Sequence, residues 1–236
     1  DAVPRAQRVL KSAREGSLRE AAAFRVVALL LAYQGRIEEA RALHARGVEA
    51  SRAAGLLVTA AGWSMGSCVI ERRAGNAEAE ERVLREGYET LSALSDRYFL
   101  PTVAVYLAEV IANRSADPDP EVDDLCAVVR ERTLPGDLVN FVGLDTTEGR
   151  MLARRGRLDD ALALARRGVE SADTTDFFDL RNRARLGLAE VLSRAGERAE
   201  LERVAAEALS TYEAKGDVAG GSWARRRLEN MGVILA

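Results

Sequence analysis

The sequence predicts an all-α protein, a solenoid of stacked helix pairs, and the main indication is a recurring motif. Residues Gly156 to Ala161 read Gly-Arg-Leu-Asp-Asp-Ala, and residues Gly35 to Ala40 read Gly-Arg-Ile-Glu-Glu-Ala. Weaker copies begin at Gly75 and Gly196, so the copies recur about every 40 residues, with one copy missing near residue 115. A fixed period of this length is typical of proteins in which supersecondary units stack on one another.

Composition and patterning support the same fold class. Hydrophobic residues make up 47% of the chain, aromatic residues only 5%, and there are five prolines, a combination that favours helices throughout. The sequence lacks the sustained alternation and the hairpin dipeptides that indicate strands. A net charge of −3 gives no argument for nucleic-acid contact, and the longest apolar run, Val26 to Ala32, is too short to span a bilayer. We therefore expect a cytoplasmic protein that contacts neither nucleic acid nor membrane.

Turn and capping signals divide the chain into five helix pairs. Ser17 and Glu20 have the spacing of a capping box at the start of the first pair. Asp119 followed by Pro120 is typical of a helix start, here of the second helix in the third pair. The predicted pairs cover residues 17–54, 57–94, 98–132, 139–172 and 177–215, preceded by a short helix at 4–14 and followed by a capping helix at about 218–230.

Small residues recur at two positions in every repeat, counted from the turn. Seven residues before the turn stand Ala28, Cys68, Ala108, Gly149 and Ala189, and twelve residues after it stand Gly47, Gly87, Ala127, Gly168 and Ala208. A glycine inside a helix costs about 1 kcal/mol relative to alanine, so we expect close packing of neighbouring helices to compensate. This pattern resembles the tetratricopeptide repeat (TPR), although the period exceeds the usual 34 residues. The resemblance implies a right-handed superhelical solenoid whose first helices line a concave, protein-binding groove.

A second resemblance covers the stretch from Arg155 to Leu228. The residues that carry it are the motif at 153–161 and the segments Thr175 to Arg181, Leu188 to Leu192 and Leu209 to Asp217. They are similar to the C-terminal TPR tail of actinobacterial signalling proteins. In that family, a class III adenylate/guanylate cyclase domain or a DNA-binding output domain is joined to a STAND-type ATPase and then to TPRs. The resemblance implies a regulatory segment whose catalytic domains lie upstream, and the chain does not begin with methionine, so we expect it to be part of a longer protein.

The residues that could carry chemistry do not form a catalytic, cofactor or metal motif. The two lysines, Lys11 and Lys215, lack the glycine-rich context of a phosphate-binding loop. His44 is the only histidine and has no cysteine or histidine at metal-ligand spacing, so we expect a surface or packing role. Cys68 and Cys126 lie in apolar helical patterns and are expected to be buried thiols. We therefore predict a non-catalytic protein without a cofactor.

The TPR resemblance places specific residues of the first helices on the concave face. The candidate binding residues are Arg25, Tyr33, Met65, Arg72, Glu109, Asn113, Arg150, Arg154, Arg183, Glu190 and Arg194. Arginine is the commonest residue among them, and its paired N–H donors favour an acidic segment or a terminal carboxylate as the ligand. The alternative is that these are solvated arginines in an arginine-rich protein. Charge reversal at Arg150 and Arg154 is expected to abolish ligand binding if the groove is the functional surface.

Three functional hypotheses follow from these observations. The first is a non-catalytic sensor or scaffold segment of a larger ATPase-linked regulator, which binds a protein or peptide or packs against its own ATPase domain. The second is a stand-alone TPR adaptor or receptor of the kind used in bacterial peptide signalling. The third is a helical-repeat enzyme, which the lack of convergent polar residues disfavours. ATPase motifs upstream in the gene would favour the first hypothesis over the second.

Overall fold

The computed structural model describes residues 2–14, 17–114 and 116–234, without the side chain of Leu18. Over these residues the chain forms thirteen α-helices and no β-strand, which confirms the predicted all-α class. None of these helices is both long enough and apolar enough to cross a membrane. The helices are α1 (Ala2–Ser12), α2 (Leu18–Tyr33), α3 (Ile37–Ala53), α4 (Leu57–Gly62), α5 (Ser64–Ala74), α6 (Ala77–Ala93), α7 (Leu100–Arg114), α8 (Pro120–Arg132), α9 (Leu138–Arg154), α10 (Leu158–Asp173), α11 (Phe178–Ala195), α12 (Arg198–Lys215) and α13 (Val218–Asn230).

The chain divides into two compact units. Unit 1 comprises residues 1–103 and 216–220, and unit 2 comprises residues 104–215 and 221–236. In unit 1, α2 packs against α3 and α5 packs against α6; in unit 2, α9 packs against α10 and α11 packs against α12. In each of these pairs, helices that are consecutive in the chain are neighbours in space. The superhelical course of the helices and their assignment as TPR pairs stay predictions.

The turns between helices follow the expected glycine positions. Each turn glycine has a positive φ, which a residue without a side chain adopts without strain: 78° at Gly35, 73° at Gly75, 78° at Gly156 and 76° at Gly196. A second series of left-handed residues follows the second helices, at Gly55, Ser95, Gly136 and Gly216. Ser95 has a φ of 52°. This left-handed position could not be recognised from the sequence, because it is not a glycine. The degenerate turn near residue 115 includes Ser115, which lies outside the described residues.

The two predicted helix starts are observed. The Ser17 side chain accepts a hydrogen bond from the Glu20 backbone N–H at 3.2 Å, which is the first half of the predicted capping box. Asp119 accepts from the Glu121 N–H at 3.0 Å, and Pro120 occupies the first helical position. Residues next to each helix start therefore satisfy its first backbone N–H groups.

The first helix of the second pair differs from the expected single helix at 57–74. It is interrupted at Trp63, so that α4 ends at Gly62 and α5 begins at Ser64. The break follows from the glycines at 62 and 66, because glycine lowers helix stability and kinks favour such positions. Trp63 is buried, and its ring contacts α3 at Gly47.

Nine of the ten predicted small positions are buried, and the prediction is wrong at Ala127, which is exposed. Helix α8 instead buries Val122, Leu125, Cys126 and Val129. The reason lies in the preceding connection. Helix α7 ends at 114 and α8 begins at 120, so this connection is longer than in the other pairs and changes the rotation of α8 about its axis.

Close helix approach explains why the mid-helix glycines are tolerated. A Cβ atom added to Gly47 would lie 2.2 Å from the Trp63 Cζ3 atom, and one added to Gly87 would lie 2.3 Å from the Ser64 Oγ atom. Both distances are far below van der Waals contact. The gain from this packing offsets the helix-propensity cost of glycine.

Unit 2 has a core to which α13 belongs. Leu192 of α11 and Leu201 of α12 are buried in the same cluster as Ala224 and Leu228 of α13. Val233, which follows α13, is buried there as well. Helix α13 is therefore an integral part of unit 2 from residue 221 onward.

We expect Gly47→Ala to destabilise the protein by about 1–3 kcal/mol, because the added methyl group overpacks the contact with Trp63. Urea denaturation measures the change in unfolding free energy. Ala45→Gly, on the exposed side of the same helix, reports helix propensity alone. A Gly47→Ala protein more stable than the wild type would show that the glycine is not required by packing.

Candidate functional site

The predicted binding residues divide between the two units. Those in unit 1 are Arg25, Tyr33, Met65 and Arg72, and those in unit 2 are Glu109, Asn113, Arg150, Arg154, Arg183, Glu190 and Arg194. Arg25 is exposed and Met65 is half-buried. The unit 2 residues lie on α7, α9 and α11, and six of them are joined by side-chain hydrogen bonds or ion pairs. The candidate site is therefore built from unit 2.

In unit 1 the predicted binding residue Arg72 forms an internal ion pair. The Arg72 Nε atom donates to the Glu80 Oε1 atom at 2.7 Å, and the two side chains are 2% and 6% exposed. Tyr33 is half-buried, and the guanidinium group of Arg73 lies 4.6 Å from the centre of its ring. These contacts hold α5 against its neighbours and leave Arg72 inaccessible to a ligand.

A second buried pair in unit 1 joins residues far apart in sequence. The Arg73 Nη2 atom lies 2.6 Å from the Asp217 Oδ2 atom, and both side chains are almost completely buried. Asp217 Oδ1 also accepts from the Gly220 backbone N–H at 2.8 Å, so that Asp217 caps the start of α13. No sequence signal connects these two residues, because the contact depends on the tertiary fold.

The centre of the unit 2 site is Glu190, which binds three arginines. Arg150 and Arg154 lie one turn apart on α9, and their guanidinium atoms reach the Glu190 carboxylate at 2.8 Å and 2.5 Å. Arg227 of α13 reaches it at 3.0 Å. The side chain of Glu190 is only 13% exposed. We call these four residues the Glu190 cluster.

The end of α7 supplies further acceptors to the Glu190 cluster. The side-chain oxygen of Asn113 accepts from Arg150 at 2.8 Å and from Arg227 at 2.5 Å. The backbone carbonyl of Ala112 accepts from Arg150 at 2.9 Å and from Arg154 at 2.6 Å. Carbonyl groups in the last turn of a helix carry partial negative charge and attract cations. The TPR resemblance implied that Asn113 and Glu190 share one face, but nothing in the sequence indicated that Arg227 joins them.

A separate ion pair joins α11 to α7. The Arg183 Nε atom donates to the Glu109 Oε2 atom at 2.8 Å. The Arg183 guanidinium group also lies 3.8 Å from the centre of the Tyr106 ring, a cation–π contact. Both Arg183 and Tyr106 are buried. Arg183 and Glu109 therefore stabilise helix packing in unit 2.

The arginines of the Glu190 cluster and burial shift the pKa values of the groups they surround. Burial favours the neutral form of Glu190, but the charges of Arg150, Arg227 and Arg154 outweigh it and lower its pKa to about 2. The pKa of Arg154 is lowered, first by burial and also by Arg150 and Arg194, although Glu190 opposes this. One carboxylate does not fully balance the guanidinium groups around it.

An open depression of about 380 Å³ lies beside the Glu190 cluster. Of the described residues that line it, four are arginines, Arg114, Arg154, Arg194 and Arg227, and one is a carboxylate, Glu190. Arg194 is exposed, and its Nη2 atom donates to the Ala116 carbonyl at 2.8 Å. The Arg114 Nη2 atom lies 3.0 Å from the Asp119 Oδ2 atom. The depression is therefore electropositive and can bind an anion by charge-assisted hydrogen bonds.

His44 and the cysteines occupy packed positions. The His44 Nδ1 atom lies 3.3 Å from the Ser67 hydroxyl, and burial, with the charge of Arg25, lowers its pKa to about 4. A base this weak is poorly matched to general-base catalysis near neutral pH.

Cys68 and Cys126 are free and buried, as expected. The described part of the chain contains no group of three or more histidine, cysteine and acidic residues that could hold a metal ion.

We expect Glu190→Gln to lower the unfolding free energy by about 3–5 kcal/mol, because three guanidinium groups then lose their shared counter-charge. Urea denaturation at pH 7 measures the effect. The matched control is Glu202→Gln, whose exposed pair with Arg198 should contribute less than about 1 kcal/mol. Equal effects of the two substitutions would contradict the structural role assigned to Glu190.

We expect the single imidazole NMR signal to titrate near pH 4. The folded protein then binds this proton more weakly than the unfolded chain, whose histidine titrates near 6.5. His44 should therefore reduce the unfolding free energy by roughly 3 kcal/mol as the pH falls from about 6.5 to about 4. His44→Gln should remove that part of the pH dependence. A titration near pH 6.5 would show that His44 is not buried in the folded protein.

Comparison with known proteins does not add a family to this description. The chain matches no family model, and a search of curated proteins finds no match. The resemblance to TPR proteins therefore rests on the repeat pattern of the chain itself.

Proposed function

We propose that this chain is a non-catalytic, protein- or peptide-binding segment that acts as a sensor or scaffold in a larger ATPase-linked signalling protein. The output of that protein would be a cyclase or a transcriptional regulator. The single observation that supports binding is the electropositive depression beside the Glu190 cluster. The turn glycines and the buried small positions support the accompanying architecture, a right-handed solenoid of about five TPR-like pairs.

The ligand chemistry follows from the guanidinium groups in the depression. Arginine presents a planar set of N–H donors that matches a carboxylate with two parallel hydrogen bonds. Glu190 already binds three arginines, so it does not neutralise Arg194 as well. An acidic segment or the terminal carboxylate of a partner protein, including the upstream ATPase domain, supplies the missing negative charge.

The roles of the predicted arginines are not equivalent. Arg150 and Arg154 have side chains that are 2% and 3% exposed, and both bind Glu190 and the end of α7. Charge reversal at these two positions would break the fold as well as any ligand contact. Arg194 lines the same depression and is exposed, so it reports binding with less effect on stability.

A stand-alone adaptor or peptide receptor would use the same depression and the same ligand chemistry. The two functions differ in what is encoded upstream of the chain. ATPase motifs in the same gene would support the signalling-segment function, and a start codon directly before Asp1 would support the adaptor.

We expect a fluorescein-labelled, glutamate-rich decapeptide with a free C-terminal carboxylate to bind the full chain. Fluorescence anisotropy measures its affinity. Arg194→Glu should weaken binding by about tenfold or more, because it replaces an attraction of more than about 1.4 kcal/mol with a repulsion. Arg203→Glu, on the exposed surface of α12, is the matched control for net charge.

Two further peptides test which chemical groups of the ligand the depression recognises. An amidated C-terminus tests whether the terminal carboxylate contributes, and a lysine-rich peptide of the same length tests charge selectivity. Equal affinities of the Arg194→Glu and Arg203→Glu proteins, or stronger binding of the lysine-rich peptide, would contradict binding at the depression.

A further inference from the structure

Helix α13 forms one wall of the depression. Arg227 and Asn230 of this helix line it, together with Met231, which follows the helix. Arg154 of α9 and Arg194 of α11 line the same depression from other helices. A ligand in the depression therefore contacts α13 and its neighbours at the same time.

Polar contacts join the end of α13 to the rest of unit 2. Arg227 binds Glu190 at 3.0 Å and Asn113 at 2.5 Å. The Ser193 hydroxyl donates to the Met231 carbonyl at 3.0 Å, and Arg198 donates to the carbonyl of Gly232 at 2.7 Å. Docking of the helix also buries Leu228 in the core of unit 2.

Helix α13 adds a positive charge to the depression. When α13 is docked, Arg227 becomes the third guanidinium group bound to a carboxylate that Arg150 and Arg154 already share. Arg194 lies in the same depression. An anion held by Arg194 of α11 and Arg227 of α13 would join the two helices through charge-assisted hydrogen bonds.

We infer that anion binding in the depression and docking of α13 are one coupled equilibrium, so that α13 is a ligand-controlled element. This inference rests on the proposed function, because it uses the same site. A compact anion between Arg194 and Arg227 stabilises the docked helix, and loss of the anion loosens it. By linkage, anything that undocks α13 weakens anion binding by the same factor.

The group that the depression recognises is a carboxylate or a phosphate. Both present several acceptor oxygens and a negative charge to guanidinium groups. A carboxylate would come from a peptide and a phosphate from a free anion or a phosphorylated group. The two sources are separated by using the glutamate-rich peptide and inorganic phosphate as independent probes.

Hydrogen–deuterium exchange of the full chain tests the coupling. Exchange of the amides of residues 221–231 is measured without ligand, with a saturating concentration of the glutamate-rich peptide, and with inorganic phosphate. Added chloride salt keeps the ionic strength equal in the three samples. We expect at least one probe to slow these amides by about 5- to 150-fold, the range of typical coupling between sites. Amides of α10, which contributes no residue to the depression, should change little.

Two variants and a direct measurement of binding distinguish failure of the coupling from failure of ligand binding. Arg194→Gln should abolish the protection of α13 by the effective probe, and Arg203→Gln should leave it intact. Anisotropy of the labelled peptide and calorimetry with phosphate measure binding in the same samples. Binding of a probe with unchanged exchange of α13 would overturn the coupling and leave the proposed function standing. If neither the peptide nor phosphate binds, both the coupling and the proposed function are overturned.

Discussion

The charge balance at Glu190 is the interaction on which unit 2 and its candidate site depend. One largely buried carboxylate binds Arg150 and Arg154 from α9 and Arg227 from α13. Asn113 at the end of α7 bonds to two of these arginines, so four helices meet at one point. The surplus of guanidinium groups has two consequences: the cluster tolerates no loss of its carboxylate, and the adjoining depression favours a negatively charged ligand.

Close helix packing makes this convergence possible. Small residues at the helix contacts, such as Ala108 and Ala189, are completely buried and allow neighbouring helices to approach. Side chains from α7, α9, α11 and α13 then reach one another over hydrogen-bond distances. The repeating small residues, which have no chemistry of their own, therefore position the arginines and the carboxylate that form the site.

Sequence reasoning could predict those features that depend on local structure. Turn glycines, helix caps and most buried small positions follow from neighbouring residues, and the resemblance to TPR proteins implied that Arg150, Arg154, Glu190 and Asn113 share one face. The ion pairs could not be predicted, because Arg227 joins Glu190 only through the tertiary position of α13. Ala127 was assigned to the wrong face since a longer connection alters the rotation of α8. The exposure of the arginine side chains was overestimated because their acidic partners come from distant parts of the chain.

The most direct measurement of the central claim is a crystal structure of the chain bound to the glutamate-rich peptide. We expect a peptide carboxylate within hydrogen-bond distance of Arg194 and Arg227, while Glu190 keeps its three arginine partners. A peptide bound elsewhere on the surface, or a carboxylate that displaces Glu190 from its arginines, would show that the depression is not the binding site proposed for it.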